Sequence, residues 1–337
     1  MTVNRFYTLQ TRPVGELKDS DLALREAPVG EPGEGQIQVR TTLLSMDPTI
    51  RIWMSDVPQY LPPIEIGAVI RALGLGVVEQ SRHPDFAVGD RVAGALGWAS
   101  HPTLVPEAAM LAKIPAEMPL PDEKILSLTA ATSGMTAYFG LLDVAQPKAG
   151  ETLVVDAAAG AVGSMVGQIA KIKGCRVVGI AGGPEKCQYV TETLGLDACI
   201  DYKNEDVGAG LDQHCPDGID VCFENVGGPI FDEILARMNN NGRVSLCGLI
   251  AGYNSLHEAP TGPRNFGFIL MRRLRVQGFI ILDYGDRFAG AIGEILGWAA
   301  QGKLHTREDV REGLESLPET LRQLLRGQKH GKLMVRL

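Results

Sequence analysis

Val154-Val-Asp-Ala-Ala-Ala-Gly-Ala-Val-Gly-Ser-Met-Val-Gly167 opens as a buried strand, passes through a glycine turn and continues as the start of a helix. Gly160 and Gly163 let the backbone and the helix N-terminus approach a diphosphate, whose charge is stabilised by unpaired N–H groups and the helix dipole. A bare glycine pattern also fits an ordinary tight turn. Here the context adds weight. Gln168-Ile-Ala-Lys-Ile-Lys-Gly174 reads as helix and Arg176-Val-Val-Gly-Ile180 as a second apolar strand, completing a strand-helix-strand unit of the length a dinucleotide site needs.

Working outward, apolar runs recur at Ala198-Cys-Ile200, Ile219-Asp-Val-Cys-Phe223, Gly242-Arg-Val-Ser-Leu-Cys247 and Leu274-Arg-Val-Gln-Gly-Phe-Ile-Ile281, with helix-compatible sequence between them. That alternation predicts an α/β fold with a doubly wound parallel sheet. Phe288, Ile292, Ile295, Leu296 and Ala299 share one helix face, and Leu314, Leu317, Leu321, Leu324 and Leu325 share another; both stripes read as core contacts. Gly331-Lys-Leu-Met-Val-Arg-Leu337 reads as a strand able to return to the first domain. Upstream, the first 120 residues are rich in Pro, Gly and short β-like runs such as Gln36-Ile-Gln-Val-Arg-Thr-Thr-Leu-Leu44 and predict a compact, irregular β domain. Helical periodicity begins near Glu123 and marks the crossing into the second domain.

The 337 residues suggest two domains, each able to bury a core, and a 45% apolar content fits a globular protein. The net charge of -8 and the scattered Lys and Arg argue against a nucleic-acid partner. No basic N-region followed by an apolar run opens the chain, and no uninterrupted apolar stretch approaches the roughly 20 residues of a membrane span, so the expectation is cytoplasmic. The cysteines, Cys175, Cys187, Cys199, Cys215, Cys222 and Cys247, lack C-x-x-C spacing. They read as small hydrophobes, with a redox role as the alternative.

Dinucleotide sites that prefer NAD place Asp or Glu after the second strand, about 20 residues past the turn, to bond the ribose hydroxyls. Ala181-Gly182-Gly183 stands there instead. The missing carboxylate leaves room for a 2′-phosphate, with Lys186 close in sequence and Tyr202-Lys203 after the third strand as further candidates, which favours NADPH. Glu185 is the counterargument, since a carboxylate there could bond an NAD ribose.

Ser45-Met-Asp-Pro48, Pro62-Pro-Ile-Glu-Ile-Gly67, Thr132-Ser-Gly-Met-Thr-Ala-Tyr138, Ala157-Ala-Ala-Gly-Ala-Val-Gly163, Glu185-Lys186, Asp201-Tyr-Lys203, Glu224-Asn-Val-Gly-Gly228 and Cys247-Gly-Leu-Ile-Ala-Gly-Tyr253 together carry a resemblance over nearly the whole chain. The chain resembles the medium-chain dehydrogenase/reductase superfamily, and within it the zinc-independent leukotriene B4 dehydrogenase, prostaglandin reductase and alkenal or curcumin reductase group, in its bacterial branch. The resemblance implies a GroES-like, β-rich catalytic domain over residues 1–124, a Rossmann NADPH-binding domain over 125–304, and a return to the catalytic domain over 305–337.

By the same resemblance Gly160, Ala161, Val162 and Gly163 hold the pyrophosphate, Lys186 and Tyr202 the 2′-phosphate end, and Asn225 the dinucleotide near the nicotinamide. Thr136, Cys247, Gly248, Leu249, Ile250, Tyr253, Phe279, Ile280 and Ile281 complete the cofactor surface. Zinc-dependent relatives need a Cys near Ser45-Met-Asp47 and a Gly-His-Glu motif; this chain has Met46 and Ile66-Gly-Ala68, and no Cys at all in its first domain, so no metal is expected.

Without a Lewis acid, the implied reaction is NADPH-dependent reduction of the C=C bond of an α,β-unsaturated ketone or aldehyde. Hydride goes to the β-carbon and the enolate is then protonated. Tyr253 is the leading enolate partner and Tyr60 the second, because a phenol stays protonated at neutral pH and can donate; Tyr253 as an amphipathic wall residue is the alternative. Where many relatives carry an aromatic after Asp-Pro, this chain has Thr49, which leaves Trp53, Tyr60 and Tyr253 as the substrate surface. Relatives commonly place Asn where this chain has Lys329, a second departure. A quinone oxidoreductase and a nonenzymatic NADPH-binding sensor or structural protein are the competing functions. The resemblance further implies a homodimer, with the 274–284 run as a candidate edge or else an internal strand.

Overall fold

The computed structural model describes residues 2–258 and 262–337. Six strands, β1 (Thr152–Val155), β2 (Arg176–Ala181), β3 (Ala198–Asp201), β4 (Ile219–Glu224), β5 (Met238–Leu246) and β6 (Arg275–Gly278), form one sheet in the order β3-β2-β1-β4-β5-β6. Every pairing in it is parallel. Helices cover both faces, so the central strands are apolar on both sides; all four residues of β1 are buried. The chain leaves β1 toward β2 and leaves β4 toward β5. The strand order therefore reverses between β1 and β4, and a crevice opens beyond their carboxyl ends. Strand β6 is the outer edge of the sheet.

Residues 161–172 form α1 (Ala161–Ile172), whose Met165, Val166, Ile169 and Ala170 face a core shared with Val155, Val177 and Phe223. The α/β class and the parallel doubly wound sheet expected from the sequence are both present. A helical run over Asp122–Ala145 precedes β1; its length and hydropathy of 1.3 match a bilayer span, yet 61% of its apolar window is buried against the protein.

The first domain is built on a seven-stranded sheet. Ile37–Ser45, Leu73–Ser81 and Arg91–Ala95 pair antiparallel in sequence order. Lys332–Arg336 pairs antiparallel to Ile37–Ser45 through Met334 and Ser45, and Glu308–Glu312 lies outside it. The helix Leu317–Leu325 presents Leu317, Leu321 and Leu324 to the same core as Leu9, Ile37, Met46, Ile50 and Trp98. Residues separated by some 300 positions thus share one hydrophobic cluster, and the end of the described chain is anchored beside Ser45-Met46-Asp47.

Candidate active site

A cavity of about 210 Å³ lies where the first domain meets the crevice of the second. One wall is Met46, Asp47, Pro48, Thr49, Ile52 and Tyr60; the other carries Gly160 to Gly163, Asn225, Cys247, Gly248, Ile250 and Tyr253, with Phe279, Ile280 and Ile281 beside them. Thr132 and Thr136 from the helical run and Lys329 and Lys332 from the returning segment close it.

The glycine turn is an empty cradle by construction. Ala157 takes a left-handed φ of 46°, turning its carbonyl back toward the helix start. A Cβ on Gly163 would lie 2.4 Å from the Ala157 oxygen, and one on Gly160 would lie 3.0 Å from it, so side chains are excluded where a ligand's backbone contact is needed. Ala161, Val162 and Gly163 form the first turn of α1, whose N–H groups have no partner within the helix. These groups line the cavity. The cradle and its free donors fit a dinucleotide diphosphate.

Asn225 stands at the end of β4, across the crevice from that turn. Its backbone N–H donates to Asp156 Oδ1 at 2.7 Å and its side-chain Nδ2 donates to the Asp156 carbonyl at 3.1 Å. The next two residues turn back over Glu224, with Gly227 donating to Glu224 Oε1 at 2.6 Å and a φ of 77° at Gly227.

Tyr253 follows the short helical turn Ile250–Gly252 and lines the cavity. Its hydroxyl accepts a hydrogen bond from the Leu249 N–H at 3.3 Å, which leaves its own proton free to donate. Burial pushes the phenol up to about 12, so it is protonated across the working range. Tyr60 also lines the cavity, and burial raises its phenol; its hydroxyl faces Thr49 and Trp53. Among the described residues Thr49 Oγ1, Thr132 Oγ1 and the Trp53 indole N–H are buried with no partner at hydrogen-bonding geometry, the nearby Tyr60 hydroxyl included, and both threonines line the cavity. Orphaned polar atoms of this kind fit a site that a ligand completes.

Lys186 and Tyr202 stand together away from this cavity. Lys186 Nζ donates to the Gly327 carbonyl at 2.6 Å, and the Tyr202 ring packs over Gly182, where a Cβ would meet it at 2.8 Å. Burial, then the neighbouring Lys203, lowers the Lys186 ammonium from its ordinary value. Glu185, the residue that argued for an unphosphorylated coenzyme, is engaged by Arg307 at 3.2 Å and His330 at 3.3 Å.

Two residues assigned to the site lie elsewhere. Trp53 is 5% exposed and packs in the first-domain core with Ile50 and Met54, so it backs Tyr60 and does not form a substrate wall. Leu249 is 46% exposed and its side chain leaves the cavity toward Gly227; its N–H, which holds Tyr253, is the part that matters. Two features escaped the sequence reading, and a third, Lys329, enters it only as a departure that could meet a phosphate or ribose. Lys332 Nζ bonds Asp47 Oδ1 at 2.6 Å in a buried ion pair on the cavity wall, with Ser45 Oγ donating to Asp47 Oδ2 at 2.5 Å. Asp156 and Glu224 are wholly buried side by side under the crevice. Lys329 Nζ lies over the glycine turn, 3.5 Å from where a Gly160 Cβ would stand. Burial, then Lys332 and Lys186, lowers this ammonium to about 8.

Comparison with known proteins follows the same division of the chain. Residues 5–114 match the family described as the N-terminal domain of oxidoreductase, and residues 161–296 match the one described as zinc-binding dehydrogenase. An NADPH-dependent curcumin reductase of Escherichia coli (strain K12) is 44% identical over 99% of this chain and 96% of its own length. The chain belongs to the medium-chain dehydrogenase/reductase family, in its alkenal and enone reductase group. An NADP(+)-dependent 2-alkenal reductase of Nicotiana tabacum is 35% identical over 98% of the chain and 97% of its own length. The crystal structure of CurA from Vibrio vulnificus in complex with NADPH superposes with a TM-score of 0.92 at 42% identity, covering 98% of each chain.

Proposed function

We propose that this member of the family is an NADPH-dependent reductase of the C=C bond of α,β-unsaturated ketones and aldehydes. The observation that carries the reading is the junction of two things in one cavity: a side-chain-free diphosphate cradle at Gly160 to Gly163, and a protonated phenol at Tyr253 that accepts from the Leu249 N–H and keeps its own proton to donate. Names of relatives that reduce curcumin and 2-alkenals support the substrate class, and the NADPH complex of a 42%-identical protein supports the coenzyme.

Bound NADPH supplies the reducing equivalent as hydride to the substrate's β-carbon. Everything else falls to the protein. Gly160 to Gly163 hold the diphosphate through free N–H groups, with Lys329 adding positive charge beside them. Lys186 and Tyr202 would hold the 2′-phosphate, Lys186 supplying a cation and Tyr202 a hydroxyl. Phe279 to Ile281, Cys247 and Ile250 exclude water around the reacting carbons. Tyr253 donates its hydroxyl proton as a hydrogen bond to the substrate oxygen, where negative charge grows as the alkene is reduced. Tyr60, on the opposite wall, is the second donor.

The reading is zinc-independent. Met46 and Ile66-Gly-Ala68 offer no ligand set at the positions where zinc-dependent relatives need Cys and Gly-His-Glu, and among the described residues no three His, Cys, Asp or Glu side chains gather as a metal site. We further propose a cytoplasmic homodimer. Support for a dimer comes from the β6 edge, where the preceding helix Gly267–Met271 leaves Leu270 82% and Met271 60% exposed next to an unpaired strand. The deciding experiment reduces a series of enals and enones with C4-deuterated NADPH. Deuterium at the β-carbon of a saturated carbonyl product supports the assignment. Turnover of quinones alone, or NADPH binding with no turnover at all, refutes it in favour of the quinone reductase or the nonenzymatic reading.

A further inference from the structure

The two strands that flank the crevice each end in a carboxyl group. Asp156 follows β1 and immediately precedes the glycine-turn segment; Glu224 closes β4 and immediately precedes Asn225. Both side chains are 0% exposed. They share a donor, for the Val226 N–H lies 3.1 Å from Asp156 Oδ2 and 2.8 Å from Glu224 Oε1. Asp156 Oδ1 accepts from the Asn225 N–H and Nδ2, and Glu224 Oε1 accepts again from Gly227. The remaining oxygen, Glu224 Oε2, has only the Cys222 thiol at 3.9 Å.

The titratable groups facing the pair are Cys222 on β4 and Cys247 just past β5, and burial pushes both thiols up, so both are neutral. Two like charges that share one N–H donor and are shut away from bulk solvent repel strongly, and burial favours retention of a proton on one of them. A hydrogen bond between two carboxyl groups needs a proton on at least one of them, and the N–H bonds already accepted by Asp156 Oδ1 and Oδ2 and by Glu224 Oε1 favour a single one.

We propose that Asp156 and Glu224 share one proton, and that this hydrogen-bonded pair ties the two loops of the dinucleotide crevice together, making both residues positioning groups for Asn225 and the glycine turn. Burial, and next the adjacent Glu224, raises the Asp156 carboxyl well above its ordinary range, in agreement with a retained proton. The consequence for the crevice rests on its being the NADPH site; the shared proton itself does not. Loss of that proton would set two charges against each other directly beneath Asn225 and open the crevice from its floor.

An amide on either side can replace the shared proton permanently. In Glu224→Gln, Nε2 donates to Asp156 while Oε1 keeps its N–H donors; in Asp156→Asn, Oδ1 keeps Asn225 while Nδ2 donates to Glu224. The test is infrared spectroscopy of the cofactor-free protein at neutral pH. Wild type should show a protonated-carboxyl C=O band that shifts in D2O, and each single amide variant should lack it. Stability supplies a second readout. A carboxyl with a raised folded-state pKa stabilises the fold below the unfolded pKa, and that stabilisation is lost as pH rises through the folded pKa. The unfolding constant of each variant should therefore rise about tenfold less per pH unit in that window than that of wild type. Absence of the band in wild type, or its survival in both amide variants, overturns the proposal. NADPH titration separates the two readings: a protein with the band but no affinity for NADPH keeps the carboxyl pair and loses the cofactor assignment.

Discussion

Tyr253 and Lys329 are the two side chains whose chemistry is most exposed to test. The Tyr253 hydroxyl already has an acceptor role toward the Leu249 N–H, and among the described residues its proton has no acceptor. Tyr253→Phe should lower kcat by about 10²-fold, the usual effect of removing one donor to a developing oxyanion, while the Kd for NADPH stays within about twofold. Stopped-flow single turnovers beside a fluorescence titration separate the two quantities, and an unchanged kcat would return the tyrosine to the role of a wall. Lys329 predicts a pH dependence. With its ammonium lowered to about 8, it is mostly charged at pH 7 and mostly neutral at pH 9. NADPH affinity should accordingly fall by up to about tenfold between those values, and Lys329→Met should bind more weakly at pH 7 and show a flat profile. The sign for the free protein is opposite: a lysine with a lowered folded-state pKa binds fewer protons folded than unfolded, so between about pH 8 and its ordinary value of 10.5 the fold gains stability as pH rises. A wild-type affinity independent of pH would remove Lys329 from the diphosphate.

Among the elements, the glycine turn is the least forgiving. Gly163→Ala places a methyl 2.4 Å from the Ala157 oxygen, and backbone cannot swing aside as a side chain can. The start of α1 must shift, which we expect to weaken NADPH binding by about tenfold or more with a modest loss of stability of about 1–3 kcal/mol; isothermal titration and thermal unfolding measure the two. This element was also the most legible in the sequence, because strand, turn and helix are consecutive and each carries a local signature. The parallel sheet was legible for the same reason: apolar runs such as those of β2 and β4 announce strands buried on both faces. What stayed hidden depends on contacts between distant residues. Asp47 and Lys332 are 285 positions apart, and each alone is a polar residue in an apolar run. Asp156 and Glu224 lie on strands that are neighbours only because the strand order reverses between them. Trp53 misled because an aromatic beside a Pro-rich loop resembles a ligand wall, and only tertiary packing reveals that its ring fills the domain core.

At the scale of the whole molecule, the returning strand Lys332–Arg336 is tied to the Ser45-Met46-Asp47 segment of the first domain by a buried ion pair. Lys332 and Asp47 are 3% and 5% exposed, so removing the cation strands a carboxylate with only Ser45 to bond it. Lys332→Met should cost about 3–5 kcal/mol, read as a lowered midpoint in thermal unfolding, and Lys332→Met combined with Asp47→Leu should recover much of it. Equal stability of wild type and the single variant would show that the pair is solvated in solution. Chelation belongs to this scale too: dialysis against a strong chelator should leave both the unfolding midpoint and enone turnover unchanged, and a loss of turnover restored by zinc would contradict the metal-free reading. The seven-stranded sheet carries a consequence for biogenesis. Its strand Lys332–Arg336 is inserted between Glu308–Glu312 and Ile37–Ser45, so the sheet that holds Ile37–Ser45 cannot be completed until the segment from Glu308 to Arg336 has been translated. The dinucleotide unit, whose strands are contiguous, is free to mature in the interval, while the nascent first domain carries an open sheet edge that invites chaperone capture until that segment arrives.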